Sequence, residues 1–400
     1  MKQGSASRID ACFQQFQTRY ETRDTNELAV FLKNPELFTE GYLYIKELGN
    51  TPAQRFVNRY LANAIPGIWR TMAANITKKI YSSYSEVLSD NRPAFKQFLT
   101  LLFHCIQRHG NSIHHWTFSQ TASFLQACVL QFLSEEQLNT DLFKEEKAKQ
   151  NAALLPIYQL LRDEFFEKEL PFSTLLYLLT KANNIDSYET NATQFATQFH
   201  LEVMECIEPT DWLDEFISSQ LYFDYRALEY DINTKPRCFL YELDNHGECY
   251  IDLILIEHLL RHNHKVILSS KSGPILNDVS ESELKHELKK EPFKQLRPYL
   301  KSKQLTLISN GCSDVIKPLY DLSNSFKQAY ETADIVISKG QGHFHSFPQV
   351  VQHFRKKTVL EYKNSHYFLF ALKSTLTQQA LKKCHGNSIP LQSLYCKEFS

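Results

Sequence analysis

The chain has 400 residues, 43% of them hydrophobic and 22% charged, which is ordinary for a globular protein with room for two domains. Its 44 lysines and arginines against 45 aspartates and glutamates give a net charge near −1. This balance argues against a nucleic-acid-binding protein that relies on bulk positive charge. The nine cysteines contain no C-x-x-C pair, so we expect scattered reduced thiols and neither a disulfide framework nor a zinc cage.

Neither an export signal nor a transmembrane segment is recognisable. The N-terminal stretch MKQGSASRIDACFQQF turns polar where a signal peptide needs an apolar core. Apolar runs such as LTLLFHCI are far shorter than the roughly 18–20 residues that cross a bilayer. We therefore expect a cytoplasmic protein without a membrane or nucleic-acid partner, and the sequence does not indicate its oligomeric state.

The first part of the chain is predicted to be a mostly helical domain spanning residues 1–234. Apolar residues recur at i, i+3 and i+4 in residues 94–109, 120–138 and 156–182, which is typical of amphipathic helices. The charged residues 138–156 are interpreted either as a connection or as an exposed helix.

From residue 235 onward, strand-like runs alternate with helical periodicity. Strands are predicted at residues 237–244, 264–271, 304–309 and 334–340, with a fifth within 356–364. Helices are predicted at residues 247–263, 280–300 and 318–333. This alternation predicts an α/β fold with a doubly wound, Rossmann-like parallel sheet in residues 235–400. Such sheets bind ligands at the carboxyl ends of the strands, where the strand order reverses.

Small and polar residues follow each of the first four predicted strands. They are Asp244, Asn245 and Gly247; Gly273, Asn277 and Asp278; Ser309, Asn310 and Gly311; and Lys339, Gly340, Gln341 and Gly342. Because parallel strands end at the same edge of a sheet, we expect these four groups to lie together.

Asp244, Asn245 and Asp278 are candidate ligands for a divalent cation. Two carboxylates and an amide supply hard oxygen atoms, which suit Mg²⁺ or Mn²⁺. Ser280 and Glu283 have the S-x-x-E spacing of a capping box, which would hold the loop of Asp278 at a helix start. A single aspartate after a strand is also a common turn or helix-cap residue, so the prediction depends on the joint occurrence of the three.

The segment SKGQG, residues 338–342, is a candidate phosphate loop. Gly340 and Gly342 allow backbone N–H groups to approach an anion, and Lys339 adds a positive charge. A G-x-G pattern alone is a weak signal for phosphate.

These segments resemble the damage-control phosphatase family, formerly a domain of unknown function. The resemblance lies in residues 243–278, LDNHGECYIDLILIEHLLRHNHKVILSSKSGPILND, and in residues 333–344, ADIVISKGQGHF. Two further segments are similar, LLTKANNIDSYET at residues 178–190 and YFLFALKS at residues 367–374, so that the match covers roughly residues 170–375. The family has an α/β domain preceded by a helical part.

The resemblance implies metal-dependent hydrolysis of small phosphorylated metabolites, such as sugar phosphates, phosphopantetheine-like compounds or damaged phosphometabolites. By position, Asp244, Asn245 and Asp278 would bind the metal, with Co²⁺ or Ni²⁺ as substitutes for Mg²⁺ or Mn²⁺. The same comparison would assign the remaining site residues to substrate and phosphate: Lys339, Gly340, Gln341, Gly342 and Lys373. Asn184 and Asp186 would either close the cleft from the helical side or cap a turn.

Three histidines depart from the family pattern, namely His246, His343 and His345. We predict that His343 and His345 alternate in an extended segment and so face the same side, where one of them either contacts substrate or donates a proton. The metal ligands are intact, so the departures would affect the choice of substrate.

Other interpretations remain open. His258, His262 and His264 have a spacing that can bind zinc, although a solvated helix end explains them better. Glu248 and Asp252 either orient Asn245 or supply helix-start charge. Two alternative functions remain, an S-adenosylmethionine-dependent carboxyl methyltransferase and a non-catalytic binding module. No G-x-G-x-x-G loop follows the first predicted strand, which argues against the methyltransferase.

Overall fold

The computed structural model describes residues 2–21, 143–186, 191–208, 222–313, 322–345 and 363–373, with shorter stretches between 97 and 141, 213 and 217, and 377 and 399. The chain divides into two compact units. The first comprises Met1–Asn26, Glu36–Phe143 and Asp314–Ile316, and the second, the sheet unit, comprises Glu27–Pro35, Lys144–Ser313 and Lys317–Ser400. Residues 144–234 therefore cluster with the sheet. The domain division at residue 235 stays a prediction.

In its described residues the first unit is helical. Helix α1 spans Lys2–Glu21, and further helical residues occur within 97–109 and 124–134. Aromatic side chains form its buried contacts, among them the edge-on packing of Phe13 and Phe16 against Phe124.

Several helices precede the strands in the described part of the sheet unit. They are α2 Lys144–Glu167, α3 Phe172–Ala182, α4 Ala192–Ile207 and α5 Tyr225–Thr234, with a 3-10 turn at Asn183–Asp186. The start of α2 falls in the stretch interpreted as a connection or an exposed helix. It is a helix, but its residues Lys147, Gln150 and Asn151 are buried, so the expectation of an exposed helix was wrong for this face. Lys147 and Asn151 tolerate this burial because they have partners in the sheet unit, as described below, whereas Gln150 Oε1 is buried without a hydrogen-bond partner among the described residues.

Six strands form one sheet, in the order β3-β2-β1-β4-β5-β6. They are β1 Cys238–Glu242, β2 Lys265–Ser270, β3 Leu305–Ser309, β4 Ile335–Lys339, β5 Ser365–Ala371 and β6 Leu394–Phe399. The first five are parallel and β6 is antiparallel to β5. The predicted doubly wound α/β sheet is confirmed. The strand order reverses between the neighbours β1 and β4, which makes that crevice the expected ligand site.

Two strand predictions need correction. The fifth strand begins at Ser365, immediately after the predicted segment, of which residues 356–362 lie outside the described residues. The sixth strand, β6, was not predicted.

The helices between the strands are α6 Glu248–Arg261, α7 Glu281–Glu287, α8 Arg297–Ser302, α9 Asn324–Thr332 and α10 Gln341–His345. The helix predicted at residues 280–300 is broken into α7, a 3-10 turn at Glu291–Leu296 and α8. A proline near the start of each later piece explains the breaks, since proline fits a first helical turn but not a helix interior. The segment of His343 and His345 is the short helix α10, so the predicted extended conformation was wrong.

Helix α6 lies at the centre of the core of the sheet unit. Twelve of its residues are buried, and its aliphatic side chains contact the strands and helices α2 and α3. Each fully buried leucine or isoleucine stabilises the fold by roughly 1.5–3 kcal/mol relative to an exposed one. The same burial fixes the carboxylates of Glu248 and Asp252, at the amino-terminal end of α6, in a dry environment. Among the described helices, none is long and apolar enough to cross a membrane.

Candidate active site

Asp244 and Gly340 meet in the crevice between β1 and β4. The two strands are neighbours with Glu242 paired to Ser338, so the residues that follow each strand leave the sheet side by side. Gly340 has a φ of +85°, and a Cβ placed on it would lie 1.9 Å from Asp244 Oδ2. Any larger residue would be strained and would displace the carboxylate, so the backbone at position 340 determines where Asp244 lies.

Asn183 holds the Asp244 carboxylate from the helical side. Its Nδ2 lies 3.0 Å from Asp244 Oδ2 and 3.0 Å from both carboxylate oxygens of Glu248. Its Oδ1 accepts a hydrogen bond from the backbone N–H of Ala371 at 3.3 Å. Asn183 is fully buried and connects the turn after α3, the start of α6 and the end of β5.

The sequence analysis missed Asn183 and chose its neighbours. Asn184 is half-buried, and the side chain of Asp186 lies outside the described part of the chain, so their predicted roles at the cleft stay predictions. The doubled asparagine at positions 183 and 184 was the available signal. Which of the two faces the sheet depends on the 3-10 geometry of the turn, and helical periodicity does not supply it.

Asn245 and Asp278 are brought together by their backbones, which form an isolated antiparallel bridge. The Asn245 side chain donates from Nδ2 to Glu248 Oε1 at 2.8 Å. The predicted capping box is present, since Ser280 Oγ accepts from the Glu283 backbone N–H and Glu283 accepts from the Ser280 N–H. The loop carrying Asp278 is therefore held at both ends, as expected.

Lys339 is fully buried and contacts two carboxylates. Its Nζ lies 3.0 Å from Glu248 Oε2 and 2.8 Å from Asp252 Oδ1. Burial acts to lower the pKa of Lys339, but the two carboxylates outweigh it and hold the pKa above its usual value. Lys339 is therefore an internal ammonium that tethers β4 to α6, and its role as a phosphate ligand stays a prediction.

Glu248 and Asp252 share this single ammonium unequally. Burial raises the pKa of Asp252 to about 6, even though Lys339 and a hydrogen bond from Tyr241 at 2.9 Å favour its ionised form. For Glu248 the burial penalty is outweighed by Lys339 and Lys373, and its pKa is lowered. The Glu248 carboxylate is therefore ionised beside Asn245 and Asn183.

Two further lysines add positive charge to the site. Lys271, directly after β2, is buried, and its Nζ lies 3.2 Å from Asp278 Oδ2. Burial opposes its charge, but Asp278 and more distant Asp244 contribute to a net raised pKa. Lys373 is half-buried and close enough to Glu248 to act on its pKa. Lys271 was missed because a lysine after a strand resembles any solvated loop residue in sequence.

His246 and His343, two of the three histidines that depart from the family pattern, contact other residues of the sheet unit. His246 Nδ1 lies 3.1 Å from Asn151 Nδ2, and its Nε2 lies 3.3 Å from Glu283 Oε2. His343 Nε2 lies 3.1 Å from the carbonyl oxygen of Leu243. Both rings are buried. Contact between His343 and a substrate stays a prediction, and the low solvent exposure of this ring does not support it. The His345 side chain lies outside the described residues.

The remaining residues of the predicted phosphate loop lie at the start of α10. Gln341 donates to the carbonyl oxygen of Ala371 at 3.0 Å and accepts a hydrogen bond from Thr377. Gln341 and Gly342 are half-buried. Gln341 thus connects the β4 and β5 ends, and its contact with substrate stays a prediction.

His258 of α6 and His264, which lies between α6 and β2, are packing residues. The His258 ring lies against Phe165 and Phe172, with centroids 5.1 and 5.6 Å apart, and burial lowers its pKa to about 3. His264 accepts a hydrogen bond from the Arg237 N–H and lies 2.9 Å from the carbonyl oxygen of Ile232. The expectation of a solvated helix end was wrong for His258, because aromatic rings enclose it.

The residues at this edge fit a hard divalent cation. Asp244, Asn245 and Asp278 supply carboxylate and amide oxygens at neighbouring strand ends. Ser269 and Ser270, at the carboxyl end of β2, are buried, and their hydroxyls have no hydrogen-bond partner within the described residues. Buried hydroxyls of this kind normally have a partner such as an ordered water.

Comparison with known proteins shows which family the chain resembles. A family model of the damage-control phosphatase ARMT1-like domain matches residues 55–389. Damage-control phosphatase PH1575 of Pyrococcus horikoshii is 28% identical over 213 residues, which cover 53% of this chain and 64% of that protein. Uncharacterized protein MJ0202 of Methanocaldococcus jannaschii is 22% identical over 278 residues, covering 68% of this chain and 81% of that one.

The solved structures include a neighbour with the same fold. The crystal structure of a DUF89 family protein, PH1575 of Pyrococcus horikoshii, has a TM-score of 0.55 and 22% identity. It covers 84% of this chain, and this chain covers 98% of it. The family resemblance inferred from the loops at residues 243–278 and 333–344 is confirmed by the family match.

Proposed function

Because the chain belongs to the family of damage-control phosphatase ARMT1-like domains, we propose that it is a metal-dependent phosphatase. Its substrates in this proposal are small phosphate monoesters, such as sugar phosphates, phosphopantetheine-like compounds or damaged phosphometabolites, in the cytoplasm. The family match supports phosphatase chemistry on damaged metabolites, whereas the metal requirement and the monoester class are our extension of it.

The observation that carries the proposal is the contact between the Asp244 carboxylate and the backbone of Gly340. The Asp244 carboxylate therefore lies in the crevice between β1 and β4, and doubly wound sheets bind their ligands in such a crevice. The absence of a Cβ at position 340 leaves the carboxylate held closely between this backbone and Asn183. Such preorganisation is what an electrostatic catalyst needs, since its groups do not rearrange during the reaction.

Mg²⁺ or Mn²⁺, with Co²⁺ or Ni²⁺ as substitutes, would be held by Asp244, Asn245 and Asp278. When bound, the cation would supply Lewis-acid polarisation of a phosphoryl oxygen and would activate water. The chain's own groups define the rest of the site.

Lys339, Lys271 and Lys373 have different carboxylate neighbours in the site. Lys339 neutralises Glu248 and Asp252 and so keeps the start of α6 fixed beneath Asn245. Lys271 lies against Asp278, and half-buried Lys373 lies near Glu248. In this proposal Lys373 supplies the positive charge that a phosphate group requires, because Lys339 and Lys271 are both buried and paired with carboxylates.

The substrate itself would be positioned by groups around the same crevice. The proposal assigns this contact to the backbone at the start of α10 and to the turn after α3: Gly340, Gln341, Gly342, His343, Asn184 and Asp186. Lys373 would face the substrate from the end of β5.

Release of p-nitrophenol from p-nitrophenyl phosphate tests the proposal, with EDTA, Mg²⁺, Mn²⁺, Co²⁺ and Ni²⁺ in parallel. We expect cation-dependent turnover in the wild type and a loss of at least about 100-fold in kcat/KM for Asp244→Asn, because the amide removes a charged ligand without changing shape. Asp163→Asn is the matched control, since Asp163 is exposed on α2.

Turnover by Asp244→Asn equal to that of the wild type would contradict the assignment of Asp244. Equal turnover with EDTA and with every cation would contradict the metal requirement. Calorimetric binding of S-adenosylmethionine without a divalent cation, combined with no phosphate release from any ester, would replace the phosphatase by the methyltransferase alternative.

A further inference from the structure

A second group of metal-ligating side chains lies in the first unit. Asp10 and Cys12 are on α1, and Cys105 and His109 are one helical turn apart, joined by the His109 N–H to Cys105 carbonyl hydrogen bond of 2.9 Å. One ligand atom from each of Asp10, Cys105 and His109 falls within 4.8 Å of the other two. Among the described residues, these are the three His, Cys, Asp or Glu side chains whose ligand atoms lie close enough together to hold one metal ion.

The carboxylate of Asp10 has one oxygen available to this group. Its Oδ2 accepts a hydrogen bond from Arg108 at 2.8 Å. Its Oδ1 lies 3.4 Å from His109 Nε2, and the Asp10 carboxylate also has a side-chain hydrogen bond with Cys105. The three groups therefore meet through protons, and a cation bound between them would replace those protons.

The imidazole of His109 is held in place. Its ring stacks on Phe13 with centroids 4.0 Å apart and an interplanar angle of 15°. Fixing the orientation of a histidine ring is the usual second requirement of a protein metal site. The side chains of His109 and Asp10 are 21% and 33% exposed, so an ion reaches them from solvent.

One sulfur atom completes the group. Cys105 is buried, and its Sγ is one of the three ligand atoms that lie within 4.8 Å of one another. Cys12 Sγ lies 3.7 Å from Cys128 Sγ and is not part of this group. Because zinc binds the thiolate, a bound Zn²⁺ would replace the proton of the Cys105 thiol.

We propose that Asp10, Cys105 and His109 form a zinc site in the first unit, with water in the fourth position. On binding, the Cys105 S–H bond breaks, a sulfur–zinc bond forms and the proton leaves to the buffer. The ion cross-links α1 to residues 105–109. Mixed sulfur, nitrogen and carboxylate ligands select Zn²⁺ over the Mg²⁺ or Mn²⁺ expected at the sheet. The cysteines of the described residues are free thiols, as expected, and this site would add a metal to one of them. The proposal does not depend on the proposed phosphatase activity.

Cobalt substitution in the full chain tests the proposal. The EDTA-treated protein is titrated with Co²⁺, and thiolate-to-cobalt charge-transfer absorption with tetrahedral d–d bands is expected, followed by their loss on adding Zn²⁺. Cys105→Ser should lack the charge-transfer intensity of its thiolate and bind at least 10-fold more weakly. Cys206→Ser, a buried cysteine of the sheet unit, should match the wild type. Asp244→Asn should also keep the bands, which separates this site from the one at the sheet.

Asp10→Asn and His109→Gln provide a second test should Cys105→Ser fail to fold, because both positions are partly exposed. Each should lower Co²⁺ affinity by at least 10-fold and reduce the rise in the thermal unfolding midpoint that Zn²⁺ produces. Three results would overturn the proposal: a wild type without thiolate bands at saturating Co²⁺, unchanged affinity in His109→Gln, or bands that disappear in Cys206→Ser but persist in Cys105→Ser.

Discussion

At the scale of single residues, two positions decide the shape of the candidate site. Gly340 leaves space for the Asp244 carboxylate, and Asn183 binds that carboxylate together with Glu248. Neither residue carries a charge. Their contribution is to hold the charged groups in one geometry, so that the energetic cost of arranging them is met on folding.

Alanine substitutions at Gly340 and Gly386 distinguish the cost of backbone strain from the effect of displacing the Asp244 carboxylate. Gly340 and Gly386 have φ values of +85° and +80°, but a Cβ at 386 meets no atom within 4 Å. Both Gly→Ala variants should lose roughly 1–2 kcal/mol of stability from backbone strain. Only Gly340→Ala should also lose turnover, on the order of 100-fold, because the Asp244 carboxylate must move by about 1 Å or more.

Steady-state phosphatase kinetics and urea unfolding of the two variants check this prediction. Equal turnover in Gly340→Ala and Gly386→Ala would show that the position of Asp244 does not matter for the reaction.

At the scale of secondary-structure elements, Lys339 joins the end of β4 to the start of α6. The helix carries Glu248 and Asp252 one turn apart, on the face that meets the strand. Here two buried carboxylates face one ammonium group. Removing the ammonium group would leave buried negative charge without a partner and would destabilise the fold. This explains how α6 contains acidic residues inside an otherwise aliphatic core.

Lys339→Met should therefore destabilise the protein by about 3–5 kcal/mol, because it leaves two buried carboxylates without a partner. Adding Asp252→Asn should recover part of the loss. Lys285→Met, which removes an exposed pair with Glu281 on α7, should change stability by less than about 1 kcal/mol. Urea unfolding followed by circular dichroism measures all three, and a near-neutral Lys339→Met would indicate an exposed lysine instead of the buried tether.

At the scale of the whole sheet unit, Glu283 connects three separate parts of the chain. It caps α7 with Ser280, lies 3.0 Å from Lys147 of α2 and lies 3.3 Å from His246 in the loop after β1. Burial acts to raise its pKa, but His246, Ser280 and Lys147 outweigh it, and the pKa is held well below the usual value of 4.5. The ionised carboxylate is therefore part of what joins these elements.

Because the pKa of Glu283 is lower in the folded protein than in the unfolded chain, the free energy of unfolding falls as the pH is lowered. The contribution of Glu283 is fully present above pH 4.5, its unfolded value, and is lost as the pH falls toward the lower folded value. We expect the wild type to lose on the order of 1–2 kcal/mol more than Glu283→Gln between pH 5 and pH 3. His246→Gln should reduce the acid sensitivity in the same direction, since it removes the first partner of Glu283. Urea midpoints at closely spaced pH values check this, and parallel curves for wild type and Glu283→Gln would contradict it.

The sequence by itself determined the α/β class, the first four strands and the residues at their carboxyl ends. Alternating apolar runs and helical periodicity are local signals, and parallel strands necessarily end at one edge, so the approximate position of Asp244, Asn245 and Asp278 followed. The capping box of Ser280 and Glu283 is also local, and it formed as predicted.

Only the tertiary structure decided which side chains face one another. Asn183 instead of Asn184 reaches Asp244, Lys339 turns inward to two carboxylates, and the polar face of α2 is buried against the loop of His246. Each of these contacts joins residues far apart in the chain, so their partners are fixed by packing and by the need to satisfy buried charge. Residue type and spacing identify groups able to carry out the chemistry, but the neighbours that hold and charge them are set by the fold.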